Sequence, residues 1–596
     1  AELRPEYWFL PASVTGRRPA YTTGNTVQAF VYGRGYFSDL QATFSHCDVS
    51  LLIAGWRVSC GQLLNPVADQ GTVSGETFLD AVKAVRRKGG DVKALLYNVP
   101  GTDMPGPFRL WHAFDNREFC DEILKLGGDA ILDSRLSNVP ASSHHQKFIV
   151  SRSSDPEQSA AFLGGIDVCY DRWDHPPHDN CAERQRDFVR EGCIETHQPS
   201  LPGWHDIQVK LQGPAVSQAW DVFRDRWNDP RPANHDPFLS RYRGTTRIDS
   251  GFGLPQGTGT AAVQINLTLP EGVFPDDGGA GEQTIARALE HAIDRAKHYV
   301  YVEDQYVWPC SLVDRLETAL KRGVRVLLVV ARDYDAPGLA IVSHRLRGEV
   351  VDRLRTASPN NFRIHHLERA NGEQIYVHSK LVIIDDRFVS IGSANFNARS
   401  LVNDTEIQAS IVDSDALLVP IAGKPESVSR FAHDLRCELW AEHLEVDHKT
   451  LVDPIAAFDS IWSNAPIAPS RRAVPHVVKH GIINIDAMAE YITTLIDKRM
   501  AHIPHVSLPP GVSDRSAIKL AVDTALRGPL AAGVLKFMEE LLNPDLTSTF
   551  AAAERFMKET VRDTFFPSVA AGAVHGNGST ASDDKRTEAE MIVRNL

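Results

Sequence analysis

Four side chains carry the chemistry this sequence offers: His145 with Lys147 in SSHHQKFIV, and His378 with Lys380 in VHSKLVIID. A histidine two residues before a lysine on a strand puts an imidazole and an ammonium on one face, because successive side chains alternate across the pleat. One such pair is half a site and arises by chance in a chain of this length. Two pairs facing each other would set two cations around an anionic phosphate, with an imidazole on either side. That arrangement suits in-line displacement at phosphorus. A neutral imidazole attacks to give a phosphohistidine, the other imidazole, protonated, donates to the leaving oxygen, and water or an alcohol completes the second step. Imidazole serves both roles because its unperturbed pKa of about 6.5 lies near working pH. Asn395, with the backbone around Gly392 and Ser393, would join the lysines in holding the non-bridging oxygens. The scheme calls for no metal and no cofactor. His175 and His178, in DHPPHDN, read as a polar turn.

The elements that must position these residues repeat. The two histidines are 233 residues apart, as are Gly90 in AVKAVRRKGGDVKALLYN and Gly323 in LETALKRGVRVLLVV. Both of those segments read as amphipathic helix, glycine stop and buried strand. A duplication of this length implies two similar lobes rather than a solenoid. DVSLLIAGW, DVKALLYN, KFIV and SAAFLGG supply strands to the first lobe; HYVYVEDQY, VRVLLVV, LVIID and FVSIGSAN supply them to the second. The expected fold class is α/β, a mixed sheet with flanking helices in each half. Residues 1–230 form the first lobe, 231–262 a Pro- and Gly-rich connector, 263–455 the second lobe, and 456–596 a helical extension with a polar tail.

The 596 residues are 43% hydrophobic and 23% charged, an ordinary globular composition, with no apolar run long enough to span a bilayer. The net charge of −13 disfavours non-specific nucleic-acid binding, which draws on a basic surplus. The opening AELRPEYWFL fits either a chain trimmed of a leader or a cut one. None of the eight cysteines forms a C-x-x-C pair; Cys169, Cys181 and Cys193 would hold a disulfide in an exported protein or remain thiols in a cytosolic one.

The paired H-x-K motifs, the turns GGID and GSAN after them, and the stretches GGIDVCYDRWD, GWHDIQVKLQGPAV and YVEDQY together resemble the phospholipase D superfamily, and its phosphatidylcholine-type branch most, over about residues 25–450. The resemblance implies two pseudo-symmetric lobes with the site between them. It implies His145 as nucleophile, His378 as general acid and base, and Lys147 and Lys380 as the grip on phosphate. Asn395, Ser393, Gly165 and Asp167 would assist that grip, Asp167 standing where the other half has Asn395. Asp174 and Glu406 match acids that orient the histidines, and Asp385 the motif aspartate. The implied substrate is a phospholipid membrane surface met peripherally, without nucleic acid. The implied setting is secretion or export, with cytoplasmic residence as the alternative and a secretion-system or immunity protein as candidate partner.

Two positions depart from the family pattern. The first motif has Arg152 where the second has Asp385, a position the resemblance makes structural, so the change bears on the local turn, with Asp155 in the following SSDPEQSA as a candidate substitute. Asp304 stands where the family has Asn. His144 reads as a packed neighbour of His145, and Trp204, His205 and Asp206 as residues of the pocket mouth or a buried Trp beside a satisfied His. The expected reaction is hydrolysis of the distal phosphodiester of glycerophospholipids, with transfer to an alcohol as a branch. The alternatives are a nuclease or other phosphodiesterase of the same superfamily, and an inactive membrane-binding homologue.

Overall fold

The computed structural model describes residues 3–478, apart from 17–19, 99–110, 137–141, 185–203, 250–254, 272–280, 463–471 and a few single positions. The helices expected in INIDAMAEYITTLIDKRM and RGPLAAGVLKFMEELLN, and Cys193, lie outside the described residues. Cys169 and Cys181 are free thiols. The chain divides into two units, residues 1–334 with 349–478 and residues 335–348 with 479–596. The first holds both sheets. In the second, the described residues belong to the helix Pro337–Ala357.

Beside short strands at Val67–Asp69, Thr72–Ser74 and Trp204–His205, the first half supplies seven strands to its sheet: β1 Thr22–Val31, β2 Ser50–Gly55, β3 Asp91–Tyr97, β4 Asp129–Asp133, β5 Phe148–Arg152, β6 Ala160–Gly164 and β7 Ile207–Gln212. They run β1-β7-β6-β5-β2-β3-β4 across the sheet. Pairings among β2, β3 and β4 are parallel and the others antiparallel. The second half gives β8 Ala261–Leu269, β9 Tyr299–Asp304, β10 Arg325–Val330, β11 Phe362–Glu368, β12 Leu381–Ile384, β13 Phe388–Gly392 and β14 Glu406–Asp413. Their order, β8-β14-β13-β12-β9-β10-β11, and their directions are the same. The duplication read from the sequence is a duplication of topology.

Alternation along the strands explains how the halves join. Leu51 and Ile53 of β2 pack under the helices Gly33–His46 and Phe78–Arg87, while Leu52 and Ala54 face the opposite way. In β9, Val300 and Val302 pack under helices Thr284–Arg295 and Ser311–Lys321, and Tyr299 and Tyr301 face away. The away-facing residues of both sheets share one core with the helices Ala215–Trp227 and Arg430–Leu444. Strands buried on both faces are why RVLLVV and SLLIAG read as continuous apolar runs. Each Val, Leu or Ile so buried is worth about 1.5–3 kcal/mol, so the inner face binds the lobes firmly.

The sheets also touch at an edge, where β1 pairs with β8 at Thr22↔Val263 and Asn25↔Ala261. Asn25 holds the seam: its Nδ2 donates to the Thr22 and Ala261 carbonyls (both 3.1 Å), and its Oδ1 accepts the Ala215 N–H (2.7 Å). Within 231–262, Asn234 donates to the Leu132 carbonyl (3.2 Å) and Arg243 is bridged to Ile131, both on the first sheet, while Ala261 and Ala262 already belong to β8. The glycine that stops the helix before β3 is Gly89 (φ 93°), the counterpart of Gly323 (φ 89°) before β10. Gly90 has no left-handed backbone; instead, a Cβ there would meet Val85 at 2.7 Å.

Candidate active site

The H-x-K segments run into β5 and β12, and each is laced to the other half of the chain. His145 N–H donates to the Thr405 carbonyl (3.0 Å), and His378 N–H to the His205 carbonyl (2.8 Å). The residues following those two acceptors are Glu406 and Asp206, whose side chains complete the crossing. His145 Nδ1 lies 2.9 Å from Glu406 Oε1, and His378 Nδ1 lies 2.7 Å from Asp206 Oδ2. Each histidine therefore takes its carboxylate from the opposite lobe. With Nδ1 committed as donor, the tautomer is set and Nε2 is left for chemistry.

Asp206 and Glu406 occupy equivalent places. The Ile207 carbonyl accepts the Gly165 N–H (3.0 Å), as the Ile407 carbonyl accepts that of Ser393 (2.9 Å). Gln208 Oε1 takes the Ile166 N–H, as Gln408 Oε1 takes that of Ala394. A repeated DIQ and EIQ in the sequence marks this equivalence. The missed partner of His378, Asp206, was legible there.

His145 and His378 keep 9% and 7% exposure, while Glu406 and Asp206 behind them keep 0% and 2%, so the rings reach solvent and the acids do not. Burial and the neighbouring Lys147 hold His145 well below the ordinary imidazole range; burial, Lys380 and Arg172 do the same for His378. Both lysines act electrostatically on both rings, so the four groups share one neighbourhood. Burial pushes Asp206 up to about 6 and Glu406 up to about 7. Lys147 Nζ lies 3.1 Å from the His145 carbonyl and 3.3 Å from Asp167 Oδ2. Lys380 donates to the His378 carbonyl, and burial brings it down to about 8 against the opposing pull of Asp206 and Asp304. Trp204 forms the wall beside His378, ring centroids 4.9 Å apart, with the Arg172 guanidinium stacked on it at 3.5 Å.

Several expected roles fall elsewhere. Asp174 touches neither motif histidine. It binds His178 Nδ1 (2.7 Å) and Arg184, and His178, read as part of a polar turn, is fully buried. Asp167 spends Oδ1 on the Trp56 and Arg57 N–H groups (both 3.1 Å) and faces Lys147, so it is an anion that aims a lysine rather than a phosphate donor. Ser393 Oγ donates to Glu406 Oε2 (2.5 Å) and accepts the Ile407 N–H (3.0 Å), and so steadies the acid. Gly165 makes room: a Cβ there would stand 2.1 Å from Asp206 Oδ1. Lys147 and Lys380 are the cationic donors available to an anion here, and Asn395 is buried beside them with its Oδ1, an acceptor, unpartnered in the protein.

Asp385 sits at the end of β12 in left-handed backbone (φ 54°) and accepts the N–H groups of Lys297, His298 and Tyr299 (2.7, 2.9 and 2.8 Å), which fixes the start of β9. In the first lobe the Arg152 carbonyl takes the Val49 N–H (3.2 Å), and the carboxylate has moved across to Asp48, which holds Ser154 by its N–H and Oγ (both 2.6 Å). Asp155 caps its own turn through the Glu157 N–H and plays no part in this. Asp304 has a similar explanation. It caps the turn after β9 through the Tyr306 N–H (2.7 Å) and holds the Phe396 N–H (2.8 Å), as Asp167 caps the turn after β2. Acid and neutral residue have exchanged places between strand end and turn: Gly55 with Asp167 in one lobe, Asp304 with Asn395 in the other.

A protein-family model described as "Phospholipase D" matches residues 120–313, which hold the first motif, and one described as "Cardiolipin synthase, PLD-like domain" matches 289–421, which hold the second. The chain belongs to the phospholipase D superfamily. It is 28% identical to phospholipase D A of Dictyostelium discoideum over 51% of this chain and 27% of that one. It is 28% identical to phospholipase D1 of Schizosaccharomyces pombe over 52% and 28%, and 25% identical to phospholipase D2 of Bos taurus over 88% and 63%. It thus spans less than two thirds of the length of each. Among solved structures, it matches a phosphatidylserine synthase of Haemophilus influenzae at a TM-score of 0.43 and 13% identity, over 66% of this chain and 84% of that one.

Proposed function

We propose that the protein is a phosphodiesterase of the phospholipase D type, which cleaves the distal phosphodiester of glycerophospholipids to phosphatidic acid and free headgroup. The crossed pairs His145–Glu406 and His378–Asp206, with Lys147 and Lys380 between them, carry this reading. A neutral ring attacks phosphorus through Nε2, forming the N–P bond as the P–O bond to the headgroup breaks. The other ring, protonated at Nε2, gives its proton to the leaving oxygen. It then takes a proton from water or an alcohol, whose oxygen displaces the histidine. Water yields phosphatidic acid and an alcohol yields a new phosphatidyl ester. Each carboxylate stabilises the imidazolium that forms in front of it, and the lysines offset charge on the non-bridging oxygens. His145 is assigned the attack and His378 the proton transfers.

The substrate in this reading is presented by a phospholipid membrane surface; no helix among the described residues is long and apolar enough to cross a membrane. Headgroup release from mixed phospholipid vesicles, with and without a chelator, tests the proposal. Chelator-resistant release that His378→Ala abolishes is the expected result. Absence of release from every headgroup class refutes it.

A further inference from the structure

Beneath the His378–Asp206 pair lies a carboxylate the mechanism does not use. Glu303, in β9, is completely buried and accepts four hydrogen bonds. Ser379 Oγ (2.6 Å) and His205 Nε2 (2.8 Å) reach Oε2; Tyr301 Oη (2.5 Å) and His443 Nε2 (2.9 Å) reach Oε1. These donors are two hydroxyls and two imidazoles, with no lysine or arginine among them. Burial opposes the ionisation of Glu303, but His205 and His443 outweigh it and hold its pKa well below the carboxylate range. It is a buried anion anchored by two hydroxyls and two imidazoles.

Two of those donors flank the catalytic pair. Ser379 stands between His378 and Lys380, and its side chain points inward where theirs point to the pocket. His205 precedes Asp206, and its carbonyl receives the His378 N–H. One carboxylate therefore clamps the backbone on both sides of the His378–Asp206 hydrogen bond. The first lobe has Ala54 at this strand position and anchors its motif differently. Gln146, the counterpart of Ser379, accepts from Arg226 (2.6 Å), and Arg226 pairs with Asp133 (3.0 Å), which also holds His144 Nε2 (3.1 Å).

We propose that Glu303 is a positioning residue for the His378–Asp206 pair alone, acting through Ser379 and His205, while Asp133 serves His145 through Arg226 and His144. The kinetic half of this inference rests on the phosphodiester-transfer reading above; the positional half does not. The nitrogen and oxygen atoms of His205, Glu303 and His443 lie close enough to surround a cation. Both Glu303 oxygens already accept two donors each, however, and a cation would leave the Tyr301 and Ser379 hydroxyl protons without an acceptor.

The test uses the full chain and the variants Glu303→Gln and Asp133→Asn. The low-field Nδ1–H proton resonances of His378 and His145, assigned with His378→Ala and His145→Ala, are the first readout. Glu303→Gln should shift or abolish the His378 signal and spare that of His145, and Asp133→Asn should do the reverse. The second readout is turnover. Glu303→Gln should lower kcat 10- to 100-fold, the range for residues that orient a reacting side chain, with KM within about twofold. If Glu303→Gln does not fold, Ser379→Ala and His205→Gln each cut one link, and each should move the His378 signal only. Unchanged resonances with kcat within twofold would overturn the inference. So would a stoichiometric metal in the parent protein that is lost in Glu303→Gln. A parent without turnover on any lipid would sink the proposed function and leave the resonances to decide this one.

Discussion

Asp206 and Glu406 govern the protonation of the rings they face, and so they set the pH range in which the site works. As pH falls, Glu406 takes up a proton near 7 and Asp206 near 6, and a protonated carboxyl no longer stabilises an imidazolium. As pH rises past about 8, Lys380 loses the charge that faces phosphate. Loss of the carboxylate charges on the acid side, and loss of the transferable imidazolium proton and then of the Lys380 charge on the alkaline side, give a bell-shaped kcat/KM profile whose limbs belong to the coupled set rather than to single residues. In Glu406→Gln the acid limb should move down towards 6; a limb that stays in place would contradict the assignment. Asp206→Asn and Glu406→Gln should each cost 10- to 100-fold in kcat. The double variant Asp206→Asn/His378→Ala should be no slower than His378→Ala, since the acid acts through that ring.

At this scale the sequence displayed the reacting groups directly and their supports only indirectly, Asp206 through the repeated DIQ and EIQ and Glu406 through the family resemblance. His145, Lys147, His378 and Lys380 are visible because H-x-K before an apolar strand is a local pattern. Asp206 lies 172 residues from the ring it orients, and Glu406 lies 261 from its own. Pairs that form only when two sheets meet have no local signature. Asp174 matches the family acid in RWD by sequence alone, yet its carboxylate is taken by His178 and Arg184.

The elements that deliver these residues are held by small numbers of buried bonds. Asp385→Ala would strand three N–H groups at the start of β9, at a cost of about 2–3 kcal/mol. Asp48→Ala, which loses only exposed bonds to Ser154, should cost less than Asp385→Ala. Urea unfolding of the two variants measures the difference, and equal costs would refute the account of Arg152 given above. Gly165→Ala should lose about 1–3 kcal/mol through overpacking and lower kcat at least as far as Asp206→Asn, because its methyl occupies the carboxylate's place. Strands and helix stops were legible from period and glycine. Asp167 and Asp304 were visible as departures, but the trade of acid and neutral residue between strand end and turn that explains them was not, since it shows only in the backbone donors each takes.

For the molecule as a whole, the duplicated topology explains why neither half is a site. Each lobe contributes one ring and the acid for the other lobe's ring. Residues 1–250 and 255–596 expressed separately should show no turnover, and together they should recover it, because the shared inner core gives them a large apolar surface to re-form. Turnover by either half alone would exclude the crossed arrangement.

The claim on which the rest depends is that phosphorus is displaced twice, once by a histidine and once by an alcohol or water. A phospholipid made chiral at phosphorus with sulfur, transferred to an alcohol and analysed for configuration, tests it most directly. Two in-line displacements predict retention; inversion would mean that the acceptor attacks phosphorus in a single step, with no phosphohistidine formed.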